Sequence, residues 1–199
     1  MRVGLGTGST VAFLLEALGE RHREGALASV RCTATSPATE RAARELGLTV
    51  VALDQLGELD LAIDGADQVA GDGWLVKGGG AAQTREKIVA AAARRFVVIV
   101  SAEKLVDRPH PPIPLELVPF AVGTTLARLA PAELREIPRS PDGGLIADYL
   151  GAVQDARRLA AWLEATPGVV EHGLFAPEMV SSIVIAGEAG VERRAGGKR

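Results

Sequence analysis

Val3-Gly4-Leu5-Gly6-Thr7-Gly8-Ser9-Thr10-Val11 is the stretch that decides the fold of this 199-residue chain. A short strand, Val3 to Leu5, runs into a glycine-punctuated loop and then a helix to about Arg23, with Val11, Leu14, Leu15 and Leu18 on its inner face. The same order recurs outward along the chain. Val30 to Thr33 reads as a second strand, and Ser36 and Pro37 as the N-cap and first position of a helix to Leu46. Thr49 to Leu53 and Leu59 to Ile63 read as further strands, the latter nearly all apolar and so expected to be buried on both faces. Trp74 to Val76 is a short extended piece, a helix to about Ala93 follows, and Phe96 to Val100 is a fifth buried strand. Strands alternating with helices predict an α/β fold with a doubly wound, mostly parallel (Rossmann-like) sheet.

Beyond Pro109 the texture changes. His110-Pro111-Pro112-Ile113-Pro114 reads as an extended linker out of the main sheet. Strands at Glu116 to Val118, Leu145 to Asp148 and Val169 to Val170, with helices at Val122 to Leu129 and Asp155 to Ala165, predict a second, smaller α+β domain. Ser182 to Ile185 is expected to return to the main sheet, and Ala189 to Arg199 reads as a loose polar tail. The expected division is 1–112 plus 178–199 for the α/β domain and 113–177 for the smaller one.

Composition narrows the function. With 47% hydrophobic residues the chain can bury a core without staples, and its one cysteine, Cys32, excludes an internal disulfide and reads as a small buried residue. A net charge of −3 with no basic face argues against a nucleic-acid partner. The apolar run Val11 to Leu18 is interrupted by Glu16, and Arg94 and Arg95 split the longest apolar stretches, so neither a secretory leader nor a membrane span is expected. The expectation is a cytoplasmic protein with a small-molecule ligand.

In doubly wound sheets ligands gather beyond the carboxyl ends of the strands, and four polar motifs follow predicted strands: Thr7 to Thr10, Ser36 to Thr39, Asp64 to Asp67 and Ser101 to Lys104. The first lacks the Lys-Ser/Thr pair of a nucleotide P-loop and the glycine spacing of a dinucleotide site. Thr7, Ser9 and Thr10 beside Gly8 at a helix N-terminus suit a terminal phosphate monoester, with Lys104 as counter-charge. Lys77-Gly78-Gly79-Gly80 strips side chains from a second loop, so backbone N–H groups can approach an anion, and Glu86 falls in the first turn of the next helix. Asp64 and Asp67 stand open as metal ligands, acid/base groups or turn residues; three scattered histidines suggest no metal cluster. Taken together these groups suit metal-free proton transfer beside a carbonyl: Glu86 as base, with Lys77 and Asp64 serving the oxygen that becomes an enediolate.

Gly4 to Thr10 (GLGTGST), Ile63 to Asp67 (IDGAD), Lys77 to Ile88 (KGGGAAQTREKI) and Gly168-Val169-Val170 followed by Gly173-Leu174-Phe175 resemble the ribose-5-phosphate isomerases of the A type. The resemblance covers most of Val3 to Val118 and resumes near Pro167. It implies an aldose–ketose isomerase that interconverts ribose 5-phosphate and ribulose 5-phosphate without a cofactor, in the non-oxidative pentose phosphate pathway, as a homodimer or larger assembly. It also implies that Glu86 moves the proton between C2 and C1, that Asp64 assists ring opening and oxygen protonation, and that Asp67 and Lys77 line the sugar site. Thr7, Ser9, Thr10 and Lys104 would take the phosphate and nearby oxygens, with Gly8 and Gly78 to Gly80 supplying backbone. The chain departs from the family pattern in three places. Met1 stands almost on the first strand, where the family usually carries a further helix, Gln68 stands where an acidic residue is usual, and Ala130 to Asp148 is expected to be shorter than usual. Two other classes compete: a non-catalytic sugar-phosphate sensor on the same fold, and acyl-CoA transfer with Glu86 as nucleophile.

Overall fold

The computed structural model of the chain describes residues 1–198 and divides into two compact units. The first comprises residues 1–65, 85–102 and 178–199, the second 66–84 and 103–177, so that 66–84 and 103–112 group with the second unit rather than with the first. Elements are numbered along the whole chain.

The first unit holds β1 (Arg2–Leu5), α1 (Ser9–Arg23), β2 (Arg31–Ala34), α2 (Pro37–Glu45), β3 (Thr49–Val50), the single turn α3 (Leu53–Leu56) and β4 (Leu61–Asp64). The chain re-enters it within α4 (Gln83–Ala91), then adds β7 (Phe96–Ser101), β14 (Ser182–Gly187) and β15 (Gly190–Ala195). Its seven-stranded sheet runs β15-β14-β7-β4-β1-β2-β3, parallel except for β15. Val3, Leu5, Val11, Leu15, Cys32, Ala43, Leu48 and Val50 form one core cluster between strands and helices. Gly4 lets α4 close on β1, because a Cβ there would stand 2.4 Å from Val89 Cγ1. Ser36 caps α2 as expected, its hydroxyl accepting the Thr39 N–H at 3.1 Å, with Pro37 next to it.

Three expectations for this unit need correction. The third strand stops at Val50, and Leu53 opens a helical turn. Leu59 makes only an isolated bridge to Ala93, and in β4 the fully buried residues alternate, Ala62 and Asp64, with Leu61 and Ile63 half-buried. The polar tail is a strand: β15 pairs with β14 from Ser182↔Ala195 to Gly187↔Gly190, and Gly196 and Lys198 continue the hydrogen bonding to Ser181 and Val180. All six β15 residues are exposed, so backbone pairing holds it, and Glu192, Arg193 and Arg194 charge an edge that would otherwise invite another chain. Arg199, the last residue of that expected tail, lies outside the described residues.

The second unit carries two sheets. In the first, β9 (Ile113–Leu117) lies between β11 (Leu145–Tyr149) and β12 (Val169–His172), with β10 (Ala132–Leu134) beyond β11, all antiparallel. In the second, β5 (Gln68–Ala70) lies between β6 (Leu75–Val76) and β8 (Leu105–Val106), with β13 (Leu174–Phe175) beyond β6. Helices α5 (Val122–Leu129) and α6 (Ala156–Glu164) complete it, the latter capped by Asp155, whose carboxylate accepts the Arg158 N–H at 3.0 Å. Ala156, Ala160 and Leu163 recur at helical spacing and are buried in a core with Ile113, Leu115, Leu117, Leu129 and Leu174. The proline-rich linker is therefore half strand: all five residues of β9 are buried, and Pro114 still accepts a hydrogen bond from the Gly173 N–H at 2.7 Å although it has no donor of its own. The segment 130–148 forms β10 and most of β11, which pair with each other.

Candidate active site

In the first unit the strand order sets β1, β4 and β7 side by side and parallel, so that Gly6, Gly65 and Ala102 leave one edge of the sheet. Asp64 ends β4 and is 3% exposed. Its Oδ1 accepts the N–H of Gly65 at 2.7 Å and of Thr7 at 3.0 Å. The carboxylate thus shapes the β1–α1 loop from inside. Gly6 has to be glycine, since a Cβ would lie 1.9 Å from Asp64 Oδ1. Thr7 Oγ1 lies 2.7 Å from Thr35 Oγ1, and Thr39 Oγ1 donates to the Gly6 carbonyl at 2.9 Å, so the loop is fixed on its other side by hydroxyls from the end of β2 and the start of α2.

Gly8 then takes φ +117 as the N-cap of α1 without any side-chain cap bond, and the first turn carries no acidic residue. Its N–H groups are left for water or an anion, and the exposed Ser9 and half-buried Thr10 stand beside them. Glu86 sits in the first turn of α4 at 4% exposure, where the helix dipole favours a carboxylate.

The second unit holds the remaining expected residues. Lys77 is 2% exposed. Its N–H donates to the Gly173 carbonyl at 2.8 Å, and its ammonium lies 5.6 Å from the centre of the Phe175 ring, within cation–π range. Gly173 has to be glycine, because a Cβ would stand 2.1 Å from the Lys77 carbonyl oxygen. Gly78 is buried at φ +103, while Gly79 and Gly80 are exposed. The exposed Asp67 accepts the Gly79 N–H at 2.7 Å through Oδ2. Lys104 ends the 3-10 turn Ala102–Lys104 that directly follows β7.

The structure thus brings Thr7 together with Asp64, and Asp67 with Gly79, by direct hydrogen bonds. It assigns Thr7, Gly8, Ser9, Thr10, Asp64 and Glu86 to the first unit, and Asp67, Lys77, Gly78, Gly79, Gly80 and Lys104 to the second. Among the described residues no three His, Cys, Asp or Glu side chains are grouped so as to hold a metal ion.

Sequence reasoning missed the supports of these residues. Arg135 donates to the carbonyls of Gly78 and Gly79, at 3.0 and 3.2 Å. The Glu116 carboxylate, 3% exposed in β9, accepts hydrogen bonds from Thr84 and Ser140. A glutamate amid the apolar residues of a strand was the one available signal for Glu116; nothing in the neighbours of Arg135 marked it. Gln68 has a similar explanation: its amide accepts the His110 N–H at 2.9 Å and donates to the His110 carbonyl at 2.8 Å. A carboxylate could make only the first of these bonds.

Known proteins match this chain in sequence and in fold. The family model described as "Ribose 5-phosphate isomerase A (phosphoriboisomerase A)" matches residues 31–190. Ribose-5-phosphate isomerase A of Rhodopseudomonas palustris (strain TIE-1) is 43% identical over 208 aligned residues, covering 96% of this chain and 88% of the relative. The solved ribose 5-phosphate isomerase A of Methanocaldococcus jannaschii superposes with a TM-score of 0.91 at 35% identity, covering 98% of this chain and 91% of that one. A D-ribose-5-phosphate isomerase solved in complex with phospho-erythronic acid gives 0.93 at 33% identity, with 98% and 90% covered. On sequence and on fold alike, the chain belongs to the ribose 5-phosphate isomerase A family.

Proposed function

We propose that this chain is an aldose–ketose isomerase that interconverts D-ribose 5-phosphate and D-ribulose 5-phosphate through an enediolate. The family supports the substrate, and one observation supports the chemistry. Glu86 is a carboxylate withdrawn from water at the start of a helix, immediately after a glycine loop that begins at a buried lysine. In the open-chain aldose Glu86 takes the proton from C2, the C1 carbonyl oxygen gains the charge, and Lys77 stabilises that oxygen. Glu86 returns the proton to C1, and C2 becomes the ketone as its hydroxyl proton leaves. Asp64, held by the Thr7 and Gly65 N–H groups, exchanges the oxygen protons and assists ring opening. Asp67 and the Gly78 to Gly80 backbone receive the sugar. Gly8, Ser9, Thr10 and Thr7 at the start of α1, with Lys104, receive the phosphate.

Glu86→Gln keeps shape and hydrogen bonding but cannot accept the proton. Turnover of ribose 5-phosphate is expected to fall by about 10²–10⁴-fold while calorimetry still registers sugar-phosphate binding. Retained turnover in that variant removes Glu86 as the base.

No described helix is long and apolar enough to cross a membrane. We further propose that the enzyme works in the cytoplasm as a homodimer. Phe120, 86% exposed, with Val118 and Val170 supports a self-association surface on the second unit. Light scattering that returned the mass of one chain would remove the dimer.

A further inference from the structure

The three successive glycines of residues 78–80 cost more backbone entropy to order than any other residues would, and they carry no side chain to anchor. The loop nevertheless has a defined conformation. Gly78 sits at φ +103, and Ala81 at φ +60, a left-handed conformation that a residue with a Cβ rarely adopts. The Gly79 N–H is bonded to Asp67, and the Ala81 N–H to the Gly78 carbonyl at 2.9 Å. Something outside the loop has to hold it.

Arg135 is placed to do so. Its Nε and Nη2 fork onto Asp148 of β11 at 2.8 and 2.7 Å, and its Nη1 donates to the carbonyls of Gly78 and Gly79. The side chains of Arg135 and Asp148 are only 17% and 20% exposed, so the pair is shielded from water far more than an ordinary surface ion pair. One rigid guanidinium therefore aims two consecutive peptide groups while a carboxylate locks its plane. The residues flanking the loop have anchors of their own: Lys77 is bonded to Gly173, and Thr84 to Glu116.

We propose that Arg135 is a positioning residue, which holds the Gly78–Gly80 backbone in the conformation that receives the sugar phosphate, with Asp148 orienting it. This rests on the isomerase reading above. Releasing the guanidinium makes the ligand order the loop on binding, while Lys77 and Thr84 keep their anchors. The loss therefore falls on KM rather than on kcat.

The test compares Arg135→Ala, Arg135→Lys, Asp148→Asn and the Ala/Asn double variant by steady-state kinetics and by amide hydrogen exchange. In Arg135→Ala, KM is expected to rise about tenfold with kcat within about threefold of the parent. Amides of residues 79–82 should exchange at least about tenfold faster while the rest of the second unit is unchanged. Arg135→Lys should fall between, since an ammonium can hold one carbonyl but cannot also fork onto Asp148. The double variant should be no worse than Arg135→Ala. Unchanged KM, or unchanged exchange at 79–82 alongside a lower melting temperature, would overturn the proposal and leave Arg135 a stabilising ion pair only. If the parent protein fails to turn over ribose 5-phosphate, the isomerase reading falls, and the exchange measurement still decides whether Arg135 orders the loop.

Discussion

Replacing Gly6 by alanine tests how Asp64 is held. The added Cβ would stand 1.9 Å from Asp64 Oδ1, 2.0 Å from its Cγ and 2.6 Å from its Cβ, all far inside van der Waals contact. No rotation of the carboxylate clears a clash that includes its own Cβ. Either the loop or the end of β4 has to move, and Oδ1 then loses the N–H groups of Thr7 and Gly65. Hydrogen bonds to a charged group contribute about 1.5–3 kcal/mol each, so the two together put the expected loss at about 3–6 kcal/mol. That is a large share of the roughly 5–15 kcal/mol available to a folded domain. At the lower end, melting should fall by about 6–12 °C for a chain of this length.

Urea unfolding with linear extrapolation measures the loss, and kcat/KM measured well below the melting point measures what it does to catalysis. In an Asp64→Gly background the three atoms nearest the new Cβ are gone, so Gly6→Ala should cost far less there, giving a coupling above about 2 kcal/mol. Gly6→Ala with parental stability and kcat/KM within about threefold would refute the argument, because it would mean that the β1–α1 loop and Asp64 do not constrain each other.

Other consequences can be measured separately. Burial raises the Cys32 thiol to about 11 from its ordinary 9.0, so the folded protein holds this proton where the unfolded chain releases it. Stability from this group is complete below pH 9 and lost as pH rises toward 11, and native protein near neutral pH should resist iodoacetamide until unfolded. Gly173→Ala puts a Cβ 2.1 Å from the Lys77 carbonyl oxygen and should lower both melting temperature and kcat, read by calorimetry and turnover. Asp155→Ala removes the cap of α6 and should cost about 1 kcal/mol in urea unfolding with kcat/KM unchanged.

The amino-acid sequence by itself determined most of the first unit. Strands and helices alternate through 2–65 and 85–101, and local rules suffice for most of them: apolar periodicity for α1, the Ser36 cap and Pro37 for α2, and an apolar run for β7, while β3 and β4 differ in extent from the local reading. The motifs around Asp64, Lys77 and Glu86 could be singled out as candidates too, because backbone-exposing glycines and charged residues at strand ends are local signals. What local signals could not reach were elements made by long-range pairing. The strand β15 buries no side chain and exists only through β14, so its polar composition read as a tail. Prolines hid β9, whose place at the centre of a sheet depends on partners some thirty and fifty residues further on. The tertiary structure alone decided which polar side chains hold the two glycine loops. Arg135 reaches Gly78 across 57 positions and Thr7 reaches Asp64 across the same number, and the physical reason is that a hydrogen bond between distant residues leaves no periodicity in either neighbourhood.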